Sequence, residues 1–553
     1  MAVLDITFSE LKEKINQDIS LEELEDVLFN FGLEIDSYNL ESDDLKIDIT
    51  ADRPDMLSLE GFSRAIKSYL GLELAKEYKI RKSNYKVIVD ESVKNIRPFT
   101  VCAVIKNLDL NDSKIKQLIW AQEKLHLTLA RKRKVGAIGI YPLNKISFPI
   151  YFKASKGEDL KFIPLGETKV MTGLEILRNH PTGIEYSSLL NGFDKYPYFI
   201  DSNNEILSMP PIINSQKTGQ VEVSTKEVFI ECSGFNLEKL KQILNIIVTM
   251  FSDFGGEIYS VEVEYGSEKL ITPNLNYSKK IVSLDYLNKV LGTNIDLDNT
   301  CKLLNKMLYI CKKKGKDLEV LVPAFRSDVL HDVDIADDLA RAYGFSNIEL
   351  RLPQISTIGE LLDSSVLQDN IINTMAQLGY QEVRPLSLSS KVEQFDNFNI
   401  SGENYLELGY SKDKTLDVII NWLTPKLLKI LKNNQHMVYP QKIFSCDYVV
   451  VADDKTDVKS RTIMHLAAMI ANPKINFTKI ASSLYSLCNL FGWDLKLEQK
   501  QYNFYIKGRS AQIVINNKSV GHIGELSVNV LRKNNYFIPV SNFEINIDLL
   551  ENK

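Results

Sequence analysis

Cysteine and histidine are scarce in this chain, six of each in 553 residues. Cys102, Cys232, Cys301, Cys311, Cys446 and Cys488 form no CxxC pair, which excludes a thiolate zinc site and fits reduced, buried thiols. The histidines show no HExxH spacing, so a zincin-type centre is excluded. No GxGxxG, GxxxxGK[ST] or GxSxG stretch is present, which removes the common dinucleotide, P-loop and esterase readings. The longest apolar run, around 243–251, is far too short to span a bilayer, so no membrane role is expected. Met1-Ala-Val-Leu-Asp5 has no basic region followed by an apolar core, so no signal peptide is expected, and the chain reads as cytoplasmic. A strong charge of one sign is also missing. The net charge of −6 argues against a protein that coats nucleic acid, and leaves local basic patches open. No repeat of the solenoid kind and no low-complexity tract occurs.

What is present is an ordinary globular composition, 44% apolar and 25% charged, long enough for three to five domains. Residues 1–78 read as a small α+β unit: a helix over 21–31 with Ser20 as N-cap and Gly32 past its end, a strand over 45–50, and a helix over 58–69 stopped by Gly71. The charged stretch 78–84 reads as a linker. Residues up to about 270 are mostly strands, including 135–141 and 228–232, with a long apolar-striped helix over 237–251. Between them, Pro210-Pro211 is expected to stop a sheet ladder and hold the backbone extended. Residues 271–350 read as helices over 284–291 and 300–308, a strand over 318–322, then an acidic helix. A last region, from about 355, opens on a helix over 367–378 ended by Gly379.

The acidic helix lies in Arg326-Ser-Asp-Val-Leu-His-Asp-Val-Asp-Ile-Ala-Asp-Asp-Leu-Ala-Arg-Ala-Tyr-Gly-Phe345. The spacing of Asp334, Asp337 and Asp338 predicts carboxylates on one helix face, with Asp328 entering from the loop before. So many carboxylates repel unless cations offset them. Oxygen-only donors would suit magnesium rather than zinc. The alternative is an acidic helix start that favours the helix dipole, with Asp337 paired to Arg341 four residues on. Two basic stretches, Arg131-Lys-Arg-Lys134 and Lys312-Lys-Lys-Gly-Lys316, either touch RNA phosphate or are solvated faces; no interleaved aromatics accompany them.

Five stretches in order carry a family resemblance. They are Asp48-Ile-Thr-Ala-Asp-Arg-Pro-Asp-Met-Leu-Ser-Leu-Glu-Gly61; the segments Pro164-Leu165, Met171-Thr-Gly-Leu-Glu-Ile-Leu177, Ser208-Met-Pro-Pro-Ile-Ile-Asn-Ser215 and Phe229-Ile-Glu-Cys-Ser-Gly234; the acidic run; Pro440-Gln-Lys-Ile-Phe-Ser-Cys-Asp-Tyr-Val449; and Gly508-Arg-Ser-Ala511 with Val520-Gly-His-Ile-Gly-Glu525. Together they resemble the β subunit of phenylalanyl-tRNA synthetase, of the archaeal and eukaryotic-cytoplasmic type, over nearly the whole chain. The resemblance implies a multidomain α+β protein. Its parts would be a small N-terminal α+β domain (1–78), a mixed editing domain (79–270), a small helix-rich, winged-helix-like acidic domain (271–352) and a catalytic-like class II synthetase domain with an antiparallel sheet (353–553).

It also implies an α2β2 tetramer whose α subunit binds ATP, phenylalanine and the end of tRNA(Phe). This chain lacks the phosphate-gripping arginines of a working class II site, around 441–448 among other places. The editing region would hydrolyse tyrosine wrongly attached to tRNA(Phe), because an apolar pocket rejects an added hydroxyl only weakly. The matching pocket positions are Phe199, Ser208, Asn214, Glu231 and Ser233: Glu231 to accept the phenolic hydrogen, the others to orient ester and water. The alternative is a tRNA-binding scaffold with an inactive pocket. Departures from the family pattern are Asp52 for Asn, Glu231 for Asp, Ser233 for Thr, Tyr141-Pro142 for His-Asp and Ile420 for Arg. In the family, carboxylates placed as Asp328, Asp334, Asp337 and Asp338 are assigned to Mg2+ shared with the α subunit. An inserted oligonucleotide-binding barrel and a terminal anticodon-binding domain, found in bacterial relatives, have no counterpart stretch.

Overall fold

A computed structural model describes residues 2–402, 404–413 and 415–550. The chain is a mixed α/β protein that divides into two units, Met1–Leu352 and Pro353–Lys553.

In the first unit, strands Ala2–Thr7, Asp44–Ile49 and Glu34–Asn39 form a small sheet with Asp44–Ile49 in the middle. The helix Leu21–Phe31 begins with a capping box made by Ser20 and Glu23 and ends on Gly32 at φ 84°. Its period places Leu24, Leu28 and Phe31 in the core. The helix Leu59–Tyr69 starts at Ser58, whose hydroxyl accepts from the Gly61 N–H.

The central sheet has ten strands. From one edge run Ile213–Asn214, Ile206–Met209, Tyr196–Ile200, Ile150–Ser155, Ile80–Val89, Glu257–Tyr265, Phe99–Lys106, Val228–Gly234 and Gly136–Pro142, while Glu268–Thr272 pairs with Glu257–Tyr265. Val228–Gly234 is buried at every position between its two neighbours. The helix Leu237–Asp253 packs on this part of the sheet through Leu240, Ile243, Leu244, Ile247 and Phe251. The stretch 78–84 is not a linker. The Tyr78 hydroxyl is bonded to Asp253 and Arg64, and Ile80–Val89 is a strand parallel to Glu257–Tyr265. Arg81 and Lys82 are exposed, so their charges mark the solvent side of a strand rather than a loop.

The rest of this unit has strands Ser278–Ser283, Asp317–Val322 and Ile310–Lys314, with helices Leu284–Leu291, Leu297–Lys306 and Asp332–Tyr343. The helix expected over 300–308 starts earlier because the Asp296 carboxylate caps the Asn299 N–H. In the second unit, helix Asp363–Gln377 precedes a seven-stranded sheet. Its ladders are antiparallel except for the short Gln381–Glu382 strand, which runs parallel to Gln441–Ala452. Ile420 is buried among Phe398, Trp422 and Leu427. Among the described residues no helix is long and apolar enough to cross a membrane.

Candidate functional site

Pro210 and Pro211 do not extend the backbone. They form the turn of a tight hairpin, in which the Ile212 N–H donates to Met209 O at 2.8 Å. Both prolines fit there because the turn asks them for no ladder hydrogen. The hairpin sets Ser208 directly across from Asn214. Ser208, Asn214 and Glu231 then line one cavity of about 420 Å3. Apolar walls come from Ile138, Ile140 and Ile212, and polar ones from Gln122, His126, Arg133 and His180.

The other two expected pocket residues lie elsewhere. Phe199 is fully buried and stacks on Phe152, with ring centroids 4.2 Å apart, in the core below the sheet. Ser233 is also fully buried: its hydroxyl accepts from Arg97 Nε at 3.1 Å, and neither residue lines the cavity. A one-sequence reading cannot separate the positions that face the cavity from those that face the core, because several strands contribute to both.

Glu231 is 2% exposed. Its Oε1 lies 3.3 Å from the Tyr141 hydroxyl, and its Oε2 is buried with no partner. Burial pushes this carboxyl up to about 8, against Arg97 and the hydroxyls of Tyr141 and Ser233, which favour the anion. Burial likewise brings the Arg97 guanidinium down to about 10. At neutral pH Glu231 is therefore mostly a neutral acid with an unsatisfied oxygen, the state in which it can both donate and accept.

Two histidines that no spacing pattern had marked reach the cavity. His126 Nε2 accepts the Ile138 N–H at 2.9 Å, and its Nδ1 lies 3.1 Å from Glu123. Both nitrogens are thereby taken, and burial lowers the ring's basicity, so His126 is not a free general base. His180 Nδ1 accepts the Thr182 N–H at 3.2 Å, which leaves the hydrogen on Nε2 as a donor.

Of the basic stretch 131–134, Arg133 turns inward. It donates to Pro211 O and Ile212 O at 3.1 and 2.9 Å and to Glu123 at 3.0 Å, which fixes the hairpin tip to the helix Asp112–Leu127. Arg131 and Lys132 stay exposed. Lys312, Lys313 and Lys314 lie exposed on one strand, and Lys313 pairs with Asp298.

The acidic run does not gather its four carboxylates. Arg326 Nη2 lies 2.6 Å from both Asp328 and Asp338, and Asp338 also accepts from the Tyr309 hydroxyl. Asp334 accepts the Leu330 and His331 N–H groups at 2.7 and 2.6 Å as part of the helix cap. Asp337 is half exposed and pairs with Arg341 at 2.9 Å. Asp337 and Asp338 are sequence neighbours, so the helix turns one out and the other in. Burial alone would raise the Asp328 carboxyl, but Arg326 and Arg53 outweigh it and hold it below the usual range. Among the described residues no group of three or more His, Cys, Asp or Glu side chains could hold a metal ion. As arranged, these four do not fit a magnesium ion bound by this chain alone.

They instead join two motifs that are far apart in sequence. Arg53, fully buried and paired with Asp55 at 2.9 Å, feels the charges of Arg326 and Asp328. Arg341 donates to Phe31 O at 3.1 Å. The run therefore ties the helix Asp332–Tyr343 to the N-terminal α+β part.

The chain is similar to known proteins along its whole length. Residues 348–547 match the family model described as phenylalanyl tRNA synthetase beta chain CLM domain, 281–345 that of the tRNA synthetase B5 domain, and 1–72 that of the Phe-tRNA synthetase beta subunit B1 domain. The phenylalanine–tRNA ligase beta subunit of Pyrococcus abyssi is 35% identical over 99% of both chains. That of Methanocella arvoryzae is 35% identical over the full length of both. A crystal structure of an N-terminal fragment of the phenylalanyl-tRNA synthetase beta subunit from Pyrococcus horikoshii is 40% identical, with a TM-score of 0.60, covering 62% of this chain and 99% of the fragment. With identity of this level running from end to end, the chain belongs to the family of phenylalanine–tRNA ligase beta subunits.

Proposed function

We propose that this β subunit works in an α2β2 ligase. The α subunits hold ATP, phenylalanine and the tRNA(Phe) end, and this chain hydrolyses tyrosine wrongly attached to that tRNA. One observation carries the hydrolytic part: Glu231, whose Oε2 is buried without a hydrogen-bond partner, lines the same cavity as Ser208 and Asn214. A volume of about 420 Å3 suits a small polar ligand such as an aminoacyl end. A buried acceptor without a partner is unfavourable by about 1–3 kcal/mol, and a ligand hydroxyl that satisfies it gains that amount over one that cannot.

With both His126 nitrogens occupied, no side-chain base is supplied from that wall. Ser208, Asn214 and His180 Nε2 then orient the ester and a water molecule, so the rate comes from positioning. The test is deacylation of tyrosine-charged tRNA(Phe) by the assembled enzyme. Hydrolysis that is lost in Glu231→Ala supports the reading. Intact charging of phenylalanine with no deacylation overturns it, and leaves a tRNA-binding scaffold with an inactive pocket. The withdrawal of Ser233 onto Arg97 favours that second reading.

Magnesium enters in a narrower form than the sequence suggested. Asp328 and Asp338 hold Arg326. Asp334 caps the helix and Asp337 is the exposed carboxylate of the four, so an ion here needs further oxygen donors from the partner chain. Elemental analysis should find magnesium in the tetramer and none in this chain alone.

A further inference from the structure

Tyr141 stands behind the cavity wall, fully buried, its ring 5.9 Å from that of Phe229 in a stacked arrangement. It does not line the cavity, but its hydroxyl meets three groups that do. Ser208 Oγ is 2.7 Å away, Glu231 Oε1 3.3 Å and Asn214 Oδ1 3.5 Å. A phenol has one hydrogen, and the short contact assigns it to Ser208 Oγ. Ser208 is thereby an acceptor on its core side, and its own hydroxyl hydrogen remains to be donated. Among the described residues that hydrogen has no acceptor, and the side chain borders the cavity. The fold makes room for this contact at Gly139, which sits opposite Glu231 in the ladder. A Cβ there would lie 2.2 Å from the Tyr141 hydroxyl oxygen and 2.5 Å from Glu231 Oε1.

We propose that Tyr141 is a positioning residue for Ser208: it fixes the serine oxygen as an acceptor and so aims the serine hydrogen into the cavity, toward the carbonyl oxygen of a bound aminoacyl ester. This deepens the hydrolytic reading and rests on it. Glu231 Oε1 and Asn214 Oδ1, at 3.3 and 3.5 Å, are the more distant acceptors of the same phenolic hydrogen and flank the short bond to Ser208. A serine oxygen that accepts this bond keeps its own hydrogen out of that direction, whereas a free serine hydroxyl samples all three staggered positions. The carbonyl of an ester becomes more negative as water adds, so a donor held in place strengthens its bond in the transition state.

The test uses the assembled α2β2 enzyme and tyrosine-charged tRNA(Phe), with wild type, Tyr141→Phe, Ser208→Ala and the double variant. Removing the donor in S208A should lower kcat by about 100-fold, and removing only its orientation in Y141F by about 10-fold, with KM little changed. The two losses should not add, so Y141F/S208A should match S208A alone. Y141F keeps the buried ring, and an unchanged melting temperature separates its effect from misfolding. Wild-type hydrolysis with Y141F unaffected, or with additive losses, overturns the role of Tyr141 alone. No hydrolysis by the wild type removes the editing reading and this role with it.

Discussion

Asp337 and Asp338 show how much a single position along a helix decides. The Asp338 side chain is 5% exposed and shares the guanidinium of Arg326, itself 1% exposed. The Asp337 side chain is 54% exposed. Asp338→Ala leaves Arg326 buried with one carboxylate instead of two and should destabilise the fold by about 3 kcal/mol. Asp337→Ala should change stability by less than about 1 kcal/mol, because water screens that pair. Denaturant melts of the two variants check this, and equal losses would contradict it. Glu231 gives a prediction in pH. Its carboxyl titrates near 8 in the fold against an ordinary 4.5. The folded chain then keeps a proton that the unfolded chain releases between those values, so stability falls as pH rises through that window and levels off above it. Glu231→Gln carries no such charge. Its unfolding free energy should gain on that of wild type from about pH 5 to about pH 8, by at most about 1.4 kcal/mol per pH unit, as read from denaturant melts. A difference that stays constant with pH would show that the carboxyl is not held neutral.

At the scale of elements, the motif Asp48–Gly61 reads as a string of residues in one dimension and as a packing device in three. Arg53 folds back on Asp55, and the helix Leu59–Tyr69 comes so close to this turn that a Cβ on Gly61 would lie 1.9 Å from Asp55 O. Backbone cannot give way there, so Gly61→Ala should destabilise by at least about 1–3 kcal/mol, read as a drop in the midpoint of unfolding. A neutral outcome would mean that the turn is free to move. The same scale explains the misreadings. Helices with a cap and an apolar stripe, such as Leu21–Phe31, were legible because both signals are local. The strand Ile80–Val89 was not, since its charged residues are explained only by the parallel neighbour Glu257–Tyr265, far away in sequence. Pro210-Pro211 was seen as a ladder stop and not as a hairpin turn, because its partner strand is only two residues long.

For the molecule as a whole, the family models and the two units agree that a boundary lies near 350. Residues 349–362 are exposed throughout, with Leu350 at 99%, Leu352 at 93% and Ile358 at 95%. A protease that cuts beside large apolar residues, such as thermolysin, should cleave the isolated chain there first and leave two resistant fragments, identified by mass spectrometry. First cleavage inside either unit would contradict this.

The sequence by itself determined the family and named three residues that line one cavity, Ser208, Asn214 and Glu231, because motifs and caps are written in neighbouring residues. Tertiary structure alone decided what the acidic run does. Spacing made Asp328, Asp334, Asp337 and Asp338 a candidate cation site, and the cation beside Asp328 and Asp338 is Arg326 of the same chain. It also decided which pocket residues face the cavity, withdrawing Phe199 and Ser233 into the core and bringing Tyr141 to Ser208 across 67 residues of chain. Such contacts are fixed by which strands pair and which faces are buried, and that pairing is a property of the folded sheet rather than of any local stretch.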